Sequence, residues 1–142
     1  MKRMNRTKQA GFTLIEIMLV VVIMGILMTI AVVKLGGKTR DAQITATRAD
    51  IKAYGTALSL FELDNGFYPT TEQGLQALVV KPGTPPEALH WKTYLEQPVH
   101  NDQWGSPYHY KCPGDHKPDG YDLSSAGPNG IPGDADDITN WD

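Results

Sequence analysis

FTLIEIMLVVVIMGILMTIAVV, residues 12–33, decides how this chain must be built. Its 22 consecutive residues contain one charge, Glu16. A helix of about 20 apolar residues crosses the hydrocarbon core of a bilayer, so the run is long enough to span a membrane. A cleaved secretory signal has an apolar core of about 7–15 residues followed by a small-residue cleavage site. This run is longer, and its helical pattern continues past it, so the segment is expected to stay in the mature protein. The acid is the anomaly. A carboxylate in a membrane helix is costly without a partner and therefore marks a functional position.

Upstream, residues 1–11 read MKRMNRTKQAG, with Lys2, Arg3, Arg6 and Lys8 and no acid. Positive flanks stay on the cytoplasmic side, which places the remainder of the chain beyond the cytoplasmic membrane. Lys34, Lys38 and Arg40 follow the run and reduce the asymmetry without reversing it.

Downstream, the helical pattern does not stop at Val33. Ile44, Ile51, Tyr54, Leu58 and Phe61 recur at spacings that make one helix face. Ala42, Ala46, Ala49, Ala53 and Ala57 add strong helix formers. Asn65-Gly66 supplies a left-handed stop. One helix is therefore expected from about Phe12 to Leu63, roughly 75–80 Å long at ~1.5 Å per residue. Gly36-Gly37 is its weak point, where it can bend or unwind.

From Phe67 on, proline and glycine dominate. Thr70 or Thr71 is placed to cap a short helix through residues 72–78. Residues 81–86, KPGTPP, are a loop. Short strands are expected at Tyr108–Lys111 and Tyr121–Ser124, each bounded by turn residues. The predicted fold class is α+β: a long N-terminal helix, membrane-spanning in its first half, packed against a small head with a short antiparallel sheet. The organisation is a leader (1–11), an anchor helix (12–33), its amphipathic continuation (34–65) and a head (66–142).

The formal charge is −3, and loss of the four leader cations takes it to −7. That balance argues against nucleic acid as a partner, because phosphate binding needs a basic surface. Cys112 is the only cysteine, so an internal disulfide is impossible. It reads as a small buried hydrophobe. His90, His100, His109 and His116 are scattered, and His109, Cys112 and His116 are too loosely spaced for a zinc set. No nucleophile elbow, phosphate loop or paired-carboxylate pattern suggests catalysis.

Gly11-Phe12-Thr13-Leu14-Ile15-Glu16 resembles the processing signal of the type IV pilin and pseudopilin superfamily. The resemblance implies that a membrane peptidase cuts after Gly11 and methylates the new terminus, Phe12, and that Glu16 is the family's assembly glutamate. Residues 64–78, residues 102–108 (DQWGSPY) and the ending 125–141 are similar to the major pseudopilins of type II secretion systems. The implied role is a structural subunit without catalysis. It would sit in the inner membrane with its head in the periplasm, and polymerise into a pseudopilus that drives export of folded proteins. The implied partners are further copies of the chain, minor pseudopilins, the prepilin peptidase, the inner-membrane assembly platform and membrane lipid. The alternative is a type IV pilin of a surface fibre. The absence of a paired C-terminal cysteine loop and the acidic ending disfavour it.

That ending carries Asn129, Asp134, Asp136 and Asp137 among glycines and prolines. Calcium takes six to eight oxygens, mixing carboxylates with backbone carbonyls. The segment is not an EF-hand, because the D-x-D-x-D-G spacing is absent. The resemblance implies structural calcium held by Asn129, Asp136 and Asp137, with carbonyls of Ala126 and Ile131 and a contribution from Asp134. Two positions depart from the pattern: Asn129 stands where the family commonly has aspartate, and Val33 where many members have proline.

Overall fold

The computed structural model describes residues 13–142; the side chains of residues 29–38 lie outside that description. Helix α1 runs from Leu14 to Asn65 as a single element of 52 residues, through Gly36-Gly37. It ends two residues beyond the expected Leu63. Gly66 takes the left-handed conformation (φ 82°) and donates its N–H to the Glu62 carbonyl at 2.7 Å, which is the predicted stop. Asn65 ties this end to the head. Its Nδ2 donates to the Phe61 carbonyl and to Tyr94 Oη, and its Oδ1 accepts the His90 N–H.

The chain divides into two compact units, one up to Thr39 and one from Arg40 to Asp142. From Leu14 on, the first is the N-terminal part of helix α1. Every large apolar side chain described there, from Leu14 to Met28, is exposed. Among the described residues no helix is long and apolar enough to cross a membrane. The run of 12–33 continues past Met28 into residues whose side chains are not described, so the expected span lies partly outside the description.

The second unit holds the core. From α1 it takes Ile51, Tyr54, Ala57, Leu58 and Phe61, with Ile44 packed at its margin, which is the stripe read from the sequence. Leu75, Ala77, Leu78, Ala88, Leu123 and Ile138 close on it from the head. Phe61 lies edge-on to Phe67 at 5.6 Å between centroids, and Tyr94 lies 5.3 Å away on another side. Such pairs add to area burial alone.

The expected helix over 72–78 is instead a turn followed by one 3₁₀ turn, Leu75–Leu78. The cause is Gly74, whose positive φ (58°) breaks the right-handed path immediately before Leu75. The cap is Thr70. Its Oγ1 accepts the Gln73 N–H at 3.2 Å, and Gln73 Oε1 accepts the Thr70 N–H at 3.1 Å, a reciprocal capping box. Gln73 is buried, and its Nε2 donates to the carbonyls of Thr84 and Pro86, which knits the 81–86 loop to this turn.

Three antiparallel strands form one sheet in the order β1-β2-β3: β1 His109–Lys111, β2 Asp122–Ser125 and β3 Ile138–Thr139. Tyr110 pairs with Leu123, and Ser125 pairs with Ile138. The first two strands match the expected ones to within a residue. The third was not expected, because two residues inside an acidic tail carry no period. The central strand is buried along its length.

Candidate functional site

Two regions carry the sequence-derived sites, one at each end of the chain. Gly11 and Phe12 lie outside the described residues. Glu16 is described and exposed, in the first turn of α1. Its N–H donates to Thr13 Oγ1 at 3.3 Å and to the Thr13 carbonyl at 3.1 Å. Thr13-Leu14-Ile15-Glu16 is thus a helix start of the S/T-x-x-E kind, with Thr13 as cap and Glu16 three residues in. An acid there also meets the positive end of the helix dipole. The signature was present in the sequence, yet the reading there assigned Glu16 only to contacts between subunits.

The second region is the loop that links β2 to β3. It leaves β2 at Ser125-Ala126-Gly127, all buried. Gly127 has φ 63°, and a Cβ there would collide with the Asp136 carbonyl oxygen. Only glycine lets the two arms of the loop approach so closely. Across the loop, Asn129 Nδ2 donates to Asp134 Oδ2 at 2.6 Å and to Asp136 Oδ1 at 2.8 Å. Asn129 Oδ1 accepts the Ile131 N–H at 2.7 Å, and the Asp136 N–H donates to Asp134 Oδ1 at 3.2 Å. The structure therefore brings Asn129, Asp134 and Asp136 together.

Asp137 is arranged differently. Its Oδ2 accepts the Gly133 N–H at 2.7 Å, and its Oδ1 is buried with no hydrogen-bond partner. Among the described residues no three His, Cys, Asp or Glu side chains stand close enough to hold a metal ion by themselves. Any cation here would need the amide and the backbone carbonyls as well. The close carboxylates perturb each other. A hydrogen bond from Asp136, then the Asn129 amide, holds Asp134 below the usual carboxylate range; the hydrogen bond to Asp134 pushes Asp136 above it.

Two buried carboxylates, neither singled out in the sequence, fix the loop's roots. Asp102 Oδ1 accepts the N–H groups of Trp104 (3.0 Å) and Ser106 (2.8 Å), which closes a turn over residues 102–106. Its Oδ2 accepts Ser125 Oγ–H at 2.6 Å, and Ser125 Oγ in turn accepts the Gly127 N–H at 3.1 Å. Asp122 is held in a nest: its carboxylate accepts the N–H groups of Asp115, His116 and Lys117 and lies 3.0 Å from His116 Nδ1. Burial opposes its charge, but these donors outweigh that and hold its carboxyl below the ordinary range. His116 stacks flat on Trp141 at 4.1 Å. Lys117 Nζ donates to the Asn140 carbonyl at 2.6 Å, and Asn140 bonds Leu123 in β2 and Tyr121 just before it. The C-terminal tail is thereby pinned to the sheet on both sides of the loop.

A groove of about 600 Å³ runs between α1 and this tail, lined by Arg48, Lys52, Gly55, Tyr121, Asp137 and Asn140 among others. Cys112 Sγ donates to the Gly120 carbonyl at 3.4 Å, and burial pushes its thiol up.

The description "Type II secretion system (T2SS), protein G" fits residues 34–141, and "Prokaryotic N-terminal methylation motif" fits residues 6–32. The chain is 47% identical to the type II secretion system core protein G of Pseudomonas aeruginosa, covering 98% of this chain and 99% of that one. The protein of the same name from Klebsiella michiganensis is 46% identical, over 97% and 96% of the two chains. The crystal structure of the major pseudopilin from the type 2 secretion system of enterohaemorrhagic Escherichia coli matches with a TM-score of 0.65 at 38% identity. That match covers 75% of this chain and 93% of the other.

Proposed function

The chain belongs to the protein G family of type II secretion systems, and we propose from that premise how its two ends serve a pseudopilus. It is a structural pseudopilin with an N-terminal methylation motif. The observation that carries the reading is the pairing of that motif at residues 6–32 with a protein G head at residues 34–141 in one chain.

In our reading, cleavage after Gly11 frees the amine of Phe12, which is methylated. The helix anchors the subunit in the inner membrane with its head in the periplasm. Copies then stack along their helices, and Glu16 of one accepts the Phe12 amine of the next. A charge pair buried among apolar helices discriminates register, the best-attested use of buried polar groups. Minor pseudopilins, the prepilin peptidase, the assembly platform and lipid are the other contacts this life cycle requires. Deleting the chain from its host should abolish export of type II substrates, and restoring it should recover export. Long extracellular fibres from native expression, with export intact in the deletion, would favour the surface pilin instead.

We further infer that the loop between β2 and β3 holds calcium. The donor set suits it: the carboxylates of Asp134, Asp136 and Asp137, the Asn129 amide oxygen, and the carbonyls of Ala126 and Ile131. Asp137 Oδ1, buried without a hydrogen-bond partner, supports the fit, since a buried carboxylate oxygen is costly unless something positive meets it. Calcium would supply a charge that several oxygens share, holding a loop with little apolar support. Calcium should raise the melting temperature of the full-length chain in detergent relative to chelator. An unchanged melting temperature, with no heat of binding, would remove the site.

A further inference from the structure

Asp134, exposed, and Asp136, half-buried, are two carboxylates drawn to within one side chain of each other. In the described structure what stands between them is the amide nitrogen of Asn129. It gives one hydrogen to each carboxylate, at 2.6 and 2.8 Å. Hydrogen bonds to ionised acceptors are about twice as strong as neutral ones. The other end of the same side chain is also engaged, because Oδ1 accepts the Ile131 N–H at 2.7 Å. Asn129 therefore touches three points of the loop: residue 131 behind it, and residues 134 and 136 across from it. An aspartate at this position has no hydrogen to offer. It would add a third negative charge to the pair and leave the loop to spring open unless a cation arrived.

We propose that Asn129 is an internal clamp, which closes the β2–β3 loop in the absence of metal and must be displaced for metal to bind. The clamp itself follows from the hydrogen bonds; its displacement rests on the calcium reading given above. Calcium needs the oxygen of the amide and not its nitrogen. Binding therefore breaks two charge-assisted hydrogen bonds, releases the Ile131 N–H and turns the side chain about its last bond. The cation gains less net stabilisation than at a site built from carboxylates alone. Conversely, chelation leaves this loop closed where an all-carboxylate loop would open. The position makes the head of this pseudopilin less dependent on calcium.

The test compares the full-length chain in detergent with Asn129→Asp and Asn129→Ala, each melted in chelator and in calcium chloride. In chelator both variants should melt about 4–8 °C below the native chain, the shift that the loss of one or two hydrogen bonds produces in a domain of this size. Calcium should lift Asn129→Asp most, to the native value or above, and Asn129→Ala least. Equal melting of the native chain and Asn129→Asp in chelator overturns the clamp, whatever calcium does. A gap in chelator with no response of any chain to calcium upholds the clamp and removes the calcium reading. A direct reading comes from the Asn129 side-chain amide resonances. They should be shifted downfield and slow to exchange in chelator, and should move on adding calcium. Fast-exchanging amide protons in chelator also overturn the proposal.

Discussion

At the scale of single residues, two acids carry most of the argument. Glu16 occupies a helix start under the Thr13 cap, and we propose it also as a charge for the neighbouring subunit. Glutamine separates them, because it preserves the T-x-x-E/Q capping pattern and removes the charge. Glu16→Gln should insert in the membrane at normal levels and form no filaments; normal pseudopili from that variant would leave Glu16 with capping alone. Asp122 is a pH-sensitive residue of the head. Its folded-state carboxyl lies below the ordinary range, so the stability it contributes is present above the unfolded value of ~3.9 and is lost as pH falls through the folded one. Melting curves should show stability falling below pH ~4, and falling less in Asp122→Asn. That variant should melt several degrees lower at neutral pH, because an amide turns N–H groups toward the nest's own donors. A pH profile identical to that of the native chain would contradict this role.

Elements show where sequence reading reached and where it ended. The helix was legible almost to the residue, because Ile51, Tyr54, Leu58 and Phe61 repeat with its period and Gly66 provides its stop. Strands β1 and β2 were legible from their bounding turns. β3 was not, since Ile138–Thr139 becomes a strand only by pairing with Ser124 and Ser125. The short helix expected after Thr70 shrinks to a capped turn followed by a single 3₁₀ turn, because Gly74 takes a positive φ that residue type alone does not dictate. In the acidic loop residue type does not fix orientation: the Asn129 amide turns its nitrogen to Asp134 and Asp136 and its oxygen to the Ile131 N–H. Nor could sequence show that Asp102 reaches the loop through Ser125, across 23 positions. Gly127 is the element's tightest constraint. Gly127→Ala combines a positive φ with a collision against the Asp136 carbonyl, and should cost roughly 2–4 kcal/mol of head stability. On the calcium proposal it should also weaken binding while removing no side-chain ligand. A fully stable Gly127→Ala would show that the two arms do not need this approach.

At the scale of the whole molecule, the described apolar side chains from Leu14 to Met28 are exposed, whereas Ile51, Leu58 and Phe61 are buried in the head. We propose that lipid or other copies of the chain cover the N-terminal helix, as an event separate from folding of the head. Phe61→Ala, at the centre of the core, should cost about 3–5 kcal/mol and unfold the head without releasing the chain from the membrane. Release would mean that the head helps to anchor the chain. The charge balance fits the same order of events. The leader carries four cations, and its loss takes the chain from −3 to −7 while creating one new positive group, the amine of Phe12, next to the apolar helix. Everything proposed for assembly depends on that group being made. The most direct measurement is the intact mass of the chain purified from membranes of a host carrying its type II system. The account predicts a polypeptide that begins at Phe12 and bears one added methyl group. A chain that retains residues 1–11, or one cut elsewhere, would contradict it.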